Sequence, residues 1–281
     1  MVRKAIRDMV TKRKAVTKRK AVTKASIIIT TRNEGGNIGP LLSALAAQEV
    51  PEIILVDAGS TDGTVEIARS FGGDITTYEH PGTRGACRDY GARRANGQWM
   101  VFLDADCTPG PNWWSEMGKA MDSHRKGIIA GRCISVGYKP FASLGRVELY
   151  HRGMDVTHPS ANLAYPTDVF WEIGGFDPSF VTAEDIDLNF RAVSAGYPIV
   201  YAERAAVYHK AKGNFVGFAK QAFWNGYGRK QLTLKHGRLW GAYKLQHMLR
   251  PQSLWGLVRL GFALMGYLYC KVSSACGRRG T

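Results

Sequence analysis

The amino-acid sequence predicts an α/β fold: a Rossmann-like, mostly parallel sheet flanked by helices, with a basic, aromatic, helical C-terminal appendage. Three observations carry this expectation. Short apolar, β-branched runs alternate with helical patterns from residue 26 to residue 103. Three of these runs stop at a polar cluster, at Thr31-Arg32, Asp57 and Asp104. Charge is partitioned along the chain, with an acidic body between two basic ends.

SIIITT (26–31) is a buried-strand pattern, followed by a turn from Arg32 to Gly36 and a helical spacing of Ile38, Leu41, Leu42 and Leu45. EIILV (52–56) predicts a second strand ending in Asp57 and the turn Ala58 to Gly63, then a helix from Thr64 to Phe71. Asp74 to Tyr78 predicts a weaker third strand, residues 85–96 a helix, and WMVFL (99–103) a fourth strand. Gly127 to Val136 predicts another strand, and residues 137–165 carry no regular pattern. Trp171 to Phe176 leads into the acidic cluster Glu184, Asp185 and Asp187 and a helix to about Ala195. Ile199–Tyr201 and Ala206–His209 read as two further extended segments. In parallel α/β sheets ligands sit beyond the carboxyl ends of the strands, where the three polar clusters fall.

The formal charge is +15, with 38 Lys and Arg against 23 Asp and Glu. Residues 1–24 hold ten of the basic residues and one acid; residues 204–281 hold 14 and no acid; the body between is net −8. With 45% hydrophobic and 22% charged residues, the composition excludes a disordered chain. The acidic body argues against nucleic acid as partner, because a nucleic-acid domain carries its charge on its working face. Residues 1–24, with TKRKAV repeated at 11–16 and 17–22, form a flexible or amphipathic tether. A six-residue repeat turns a helix by about 600°, so it sustains no single apolar face. The tether reads either as an attachment to an anionic membrane surface or as a solvated tail. No apolar stretch of a secretory leader follows the basic start. Leu254 to Val272 is apolar apart from Arg259 and Lys271, and reads as an interfacial, a spanning or a core helix, the interfacial reading coming first. The cysteines at 87, 107, 133, 270 and 276 form no CxxC pair and are expected to be free thiols. The chain therefore divides into a tether (1–24), an α/β domain (25–210) and a helical region (211–281) expected to associate with a membrane at its cytoplasmic face. No feature of the sequence reports on oligomeric state.

Asp104-Ala105-Asp106 is the strongest local signal. Two carboxylates one residue apart at a strand end can approach one divalent cation, and oxygen ligands suit Mg²⁺ or Mn²⁺ bridging to substrate phosphates. Taken together, SIIITTRNE, ILVDAGSTDGT, FLDAD, GGFDPSF followed by AED, and the later His209 resemble the family 2 glycosyltransferases, over about residues 25–210. That resemblance implies the GT-A fold and metal-assisted, inverting transfer of a sugar from a nucleotide-diphosphate donor, UDP- or GDP-linked. The acceptor it implies is a sugar or a lipid-linked molecule. It places Thr31, Arg32, Glu34, Asp57, Arg84, Arg88, Asp104 and Ala105 at the donor, with Arg88 as the preferred phosphate contact. It places Asp104, Asp106 and His209 at the metal, Asp185 as catalytic base, and Glu184, Trp171 and Phe176 on the acceptor side. Asp187 reads first as an acid favoured by the dipole of a helix N-terminus, and the alternative reading of His209 is a structural histidine. Ala58 stands where many relatives have a second acid, which leaves the nucleotide open, and Arg32 reads as a phosphate contact or as a partner of Asp57. A relative that binds nucleotide-sugar or glycan without catalysis remains the alternative.

Overall fold

The computed structural model describes residues 24–73, 75–211, 213–237, 239, 242–243 and 254–277. Of the predicted tether only Lys24 lies among them; Asp74 and Trp240 lie outside. The alternation expected from the sequence is present as β1 (Ala25–Thr31), α1 (Gly35–Ala46), β2 (Ile53–Asp57), α2 (Thr64–Ser70), β3 (Ile75–Glu79), α3 (Arg84–Ala92) and β4 (Trp99–Asp104). There follow β5 (Cys107–Pro109), α4 (Trp113–Ser123) and β6 (Ile128–Val136). Residues 137–165, expected to be irregular, contain a short α5 (Lys139–Ala142), the hairpin β7 (Tyr150–His151) and β8 (Met154–Asp155), and a strand, β9 (Asn162–Pro166). The rest comprises α6 (Thr167–Glu172), α7 (Glu184–Ser194), β10 (Ile199–Lys210), α8 (Phe215–His236) and α9 (Leu254–Gly277).

Eight strands form one sheet in the order β3-β2-β1-β4-β9-β6-β10-β5. β1 pairs in parallel with β2 on one side and β4 on the other. This is a topological switch point, and the register sets Thr31 opposite Asp57 and Thr30 opposite Asp104. The sheet is more mixed than expected: β9 runs antiparallel between β4 and β6, and β5 runs antiparallel to β10. β9 is fully buried, yet NLAYP has no β-branched residue, so its strand character comes from burial between two neighbours. β10 is one strand where two segments were expected. A register shift between Ala202 and Ala206 breaks its pattern and re-aims its second half.

Period-two alternation builds two cores. Ile27, Ile29, Val101 and Leu103 face Leu41, Leu42, Trp113 and Met117, while Ile28, Met100 and Phe102 face Phe170, Phe176 and Leu188. A third cluster seats α8 through Leu232 against Phe180, Ile186 and Val193.

The C-terminal helices pack on each other through two glycines. A Cβ on Gly226 would stand 1.8 Å from the Ala263 carbonyl oxygen, and one on Gly266 1.9 Å from that of Phe223. Arg259 turns to the protein and donates from Nη1 to the Gly145 carbonyl at 2.8 Å. Among the described residues no helix is long and apolar enough to cross a membrane. Of the alternatives for Leu254–Val272, the spanning helix is therefore not supported.

Gly266→Leu forces α8 and α9 apart and is expected to cost about 1–3 kcal/mol by overpacking. Thermal unfolding should record the loss, and limited proteolysis should release residues 254–277 from the variant before the wild type.

Candidate active site

The loops after β1 and β2 are stitched together by short polar side chains. Asn33, at φ 56°, accepts at Oδ1 from Thr61 N, while its own N–H donates to Ser60 Oγ. Glu34 N donates to Thr64 Oγ1 and Gly35 N to Asp62 Oδ2, both at 2.9 Å. Buried Asp57 accepts from Gly59 N at 2.9 Å and from Ser60 N at 2.7 Å on Oδ2, and from Ser60 Oγ at 2.5 Å on Oδ1. A carboxylate offers about four lone-pair sites, so one remains for a ligand. Arg32 is exposed, and among the described residues no ion pair joins it to Asp57.

Arg88 departs from its expected role. It is 1% exposed, and its two terminal nitrogens donate to Asp104 Oδ1 at 2.6 Å and Glu184 Oε1 at 2.5 Å. Its guanidinium also lies 5.8 Å from the centroid of the Phe176 ring. Burial alone would lower its pKa, but Asp104 and Glu184 overcome that and raise it well above the ordinary value. Arg88 thus joins the end of β4 to the start of α7 and does not face an open phosphate pocket. Glu184 is buried in the same ion pair, and Phe176 is 3% exposed against Phe102 and Phe170. Neither presents itself to an acceptor. Trp171 packs on Phe170 and under Arg93 on α6.

Two buried side-chain polar atoms lack a partner among the described residues, Thr31 Oγ1 and Arg88 Nε. Both sit at the switch point. An unpaired buried polar group costs about 1–3 kcal/mol, so the fold concentrates this penalty at its candidate site.

Ala105 is buried in the core, while Asp104 and Asp106 on either side stay partly accessible. The re-aimed half of β10 pairs His209 with Cys107. His209 Nε2 thereby lies 3.2 Å from Asp106 Oδ1, and Asp106, Cys107 and His209 each present a ligand atom within 4.8 Å of the others. A carboxylate oxygen suits Mn²⁺ or Mg²⁺, and the added imidazole nitrogen favours the transition-metal ion of the two, Mn²⁺. Burial, with Asp104 and Asp106 nearby, pushes the Cys107 thiol far up, which keeps it a neutral side chain of the core. The residues that fit a divalent cation are Asp106 and His209, with Asp104 committed to Arg88. Sequence reasoning missed Cys107, because its neighbour is set by strand pairing across the sheet.

Asp185 is half-buried at the first turn of α7, after Ala183 at φ 63°. Its Oδ2 accepts from Ser160 N at 3.2 Å and its Oδ1 from Ile186 N at 2.8 Å. Desolvation and then the Glu184 charge raise its pKa, against the pull of Arg88. Asp187 faces the other way: it is fully buried, bound by Arg191 at 2.9 Å and by Lys235 and His236 at 2.8 Å. It anchors α7 to the end of α8, a larger structural duty than the helix-dipole role expected for it.

Strand ends, carboxylates and a switch point together form the arrangement in which open α/β folds bind ligands. The family profile described as Glycosyl transferase family 2 matches residues 26–165, and that described as Glycosyl transferase family group 2 matches residues 99–276. The chain belongs to the family 2 glycosyltransferases. It is 28% identical over 228 residues to glycosyltransferase AglE of Haloferax volcanii, covering 74% of each chain. It is 26% identical over 274 residues to the pre-mycofactocin glycosyltransferase of Mycobacterium tuberculosis, covering 90% of this chain and 54% of that one. The chain thus spans about half the length of that relative. Among solved structures, S. aureus TarS 1–349 in complex with UDP matches with a TM-score of 0.55 at 20% identity, over 72% of this chain and 64% of that chain. GalNAc-T7 with UDP, GalNAc and Mn²⁺ matches with a TM-score of 0.55 at 14% identity, over 79% of this chain and 53% of that chain. The fold is GT-A.

Because the folded pKa of Asp185 is raised, its contribution to stability is greatest below the ordinary carboxyl value of 3.8 and is lost as pH rises through the folded value. Asp185→Asn is therefore expected to melt above the wild type at neutral pH. The gap should close as pH falls toward 3.8, as read by Tm across a pH series.

Proposed function

We propose that this glycosyltransferase moves a sugar from a nucleotide-diphosphate donor to an acceptor hydroxyl with inversion, assisted by a divalent cation. The observation that carries the reading is the Arg88 bridge. It holds Asp104, beside the Asp106–His209 pair, and Glu184, beside Asp185, on one guanidinium. A cluster suited to a leaving diphosphate and a carboxylate suited to a base are thereby fixed to each other.

Asp185 is the base. Partial desolvation raises its proton affinity toward working pH, which favours general-base chemistry. The acceptor O–H gives its proton to Asp185 as the oxygen forms a bond to the anomeric carbon. The bond from that carbon to the diphosphate oxygen breaks, and the diphosphate leaves with the electron pair. Inversion needs only this one carboxylate. Asp106 and His209 are the residues that would hold a divalent cation, which would supply positive charge for the leaving diphosphate. The remaining acceptor site of Asp57 suits a base N–H, and Thr31 Oγ1 lies at the register position opposite it. UDP is the first nucleotide to test, because TarS structures contain UDP and UDP-GlcNAc. Residues 25–210 make the catalytic unit in this reading.

The acceptor is lipid-linked and the enzyme works at an anionic membrane surface, on its cytoplasmic face. Leu257, Leu260, Leu264, Leu268 and Val272 of α9, spaced three or four residues apart, are each 43% exposed or more. They lie in a region of 14 basic residues and no acid, which suits an interfacial helix.

Asp185→Asn is expected to lower transfer about 10²- to 10⁴-fold while the thermal shift on UDP-GlcNAc binding with Mn²⁺ persists; full activity in the variant excludes the base. Asp106→Ala and His209→Ala should each raise the Mn²⁺ concentration needed for half-maximal activity, whereas insensitivity to chelator removes the metal. Leu257→Glu with Leu264→Glu should abolish flotation with anionic liposomes; unchanged flotation would place the membrane contact elsewhere.

A further inference from the structure

A cleft of about 400 Å³ opens beside the candidate base, between α8 and the segment that leads into α7. Its walls include Arg84, Val181, Thr182, Lys220, Gln221 and Trp224. Three close approaches fix its place. A Cβ on Gly85 would meet Glu184 Cγ at 3.3 Å, so the start of α3 rests on the start of α7. A Cβ on Gly228 would meet Thr182 at 2.7 Å and Ala183 at 2.9 Å, so α8 is pressed against the other side of the same segment. Arg84 thus stands beside Glu184-Asp185, and its charge favours the ionised form of Asp185.

The cleft carries charge that the protein does not neutralise. Among the described residues neither Arg84 nor Lys220 has a carboxylate partner, and both are exposed. This contrasts with Arg88, Arg191 and Lys235, each of which is paired with acids. Two unpaired cations beside a cleft wall containing Trp224 suit an anion attached to a less polar body.

The surface leading away from the cleft is apolar. Val216, Lys220 and Trp224 follow one another at four-residue intervals on α8, and Val216 is 74% exposed. Phe215, itself 48% exposed, packs its ring 6.2 Å from Trp255 and 5.9 Å from Phe262, joining this edge to α9. A ligand head between Arg84 and Lys220 therefore has the exposed apolar side chains of Val216 and Phe215 one turn away for a tail.

We propose that this cleft is the acceptor's head-group site and that it selects a phosphate-type anion on an amphiphilic acceptor, whose chain runs over Val216 toward α9. The inference rests on the transferase reading above for the word acceptor, but it names a separate site and a charge. Arg84, expected at the donor from the sequence, is reassigned to the acceptor by its place in this cleft.

The test is calorimetric titration of the full chain with octyl phosphate, octyl glucoside and inorganic phosphate, each below micelle concentration where one applies. Octyl phosphate should bind at least about tenfold more tightly than either of the others, and Lys220→Ala or Arg84→Ala should each weaken it about tenfold. Equal binding of octyl glucoside would overturn the anion, and equal binding of inorganic phosphate would overturn the amphiphile. An unchanged affinity in both variants would overturn the cleft, and displacement of octyl phosphate by UDP would place the anion on the donor side. Thermal stabilisation by UDP-GlcNAc with Mn²⁺, measured on the same preparations, reads the donor pocket separately. A failed cleft and a failed transferase reading thus leave different patterns.

Discussion

The buried guanidinium of Arg88 is the constraint on which the rest of the site depends. It is held between Asp104 at the end of β4 and Glu184 at the start of α7, two elements that are 80 residues apart in the chain. Removing this cation would leave two carboxylates uncompensated, one of them buried, a loss of about 3–5 kcal/mol. The geometry of the strand end, the helix start and Asp185 beside it is tied to a single planar group. Rigidity of this kind lets a loop-borne constellation behave like part of the sheet.

Much of the fold was legible in the sequence, because strands buried on both faces leave continuous apolar runs that end where the polar edge begins. Thr31, Asp57 and Asp104 could each be placed at a strand end from their runs alone, and the register sets Thr31 opposite Asp57 and Thr30 opposite Asp104. β9 could not be read, since Asn162 to Pro166 owes its conformation to the strands on either side. The pairing of Arg88 with Glu184 could not be read for a related reason. A cation and an acid near strand ends look alike in sequence whether they face a ligand or each other, and only burial separates the two. Asp187 shows the same limit, since its partners Lys235 and His236 arrive from a helix about fifty residues later.

The charge partition that opened the sequence now has a structural counterpart. Four acids of the body are committed to internal pairs: Asp104 and Glu184 to Arg88, Asp187 to Arg191, and Asp177 to Lys235. Hydrogen bonds from Lys235 and Ser179 overcome the effect of burial and hold Asp177 at about 2. The basic C-terminal region spends some of its charge on that body and keeps the rest at its surface. The +15 of the whole chain is thus a sum over groups with different duties, and gives no measure of any single binding face.

α8 is about 33 Å long at the ordinary helical rise, and it is pinned at its middle by Gly228 against Thr182 and Ala183 and at its end by Lys235 and His236 on Asp187. This makes the order of synthesis matter. As the chain emerges from its N-terminus, the sheet can assemble while α7 still carries a buried carboxylate lacking two of its partners. The helix bearing the candidate base settles only when residues beyond 235 have appeared. The start of α7 thus takes two of its ion-pair partners from the same helix that walls the cleft.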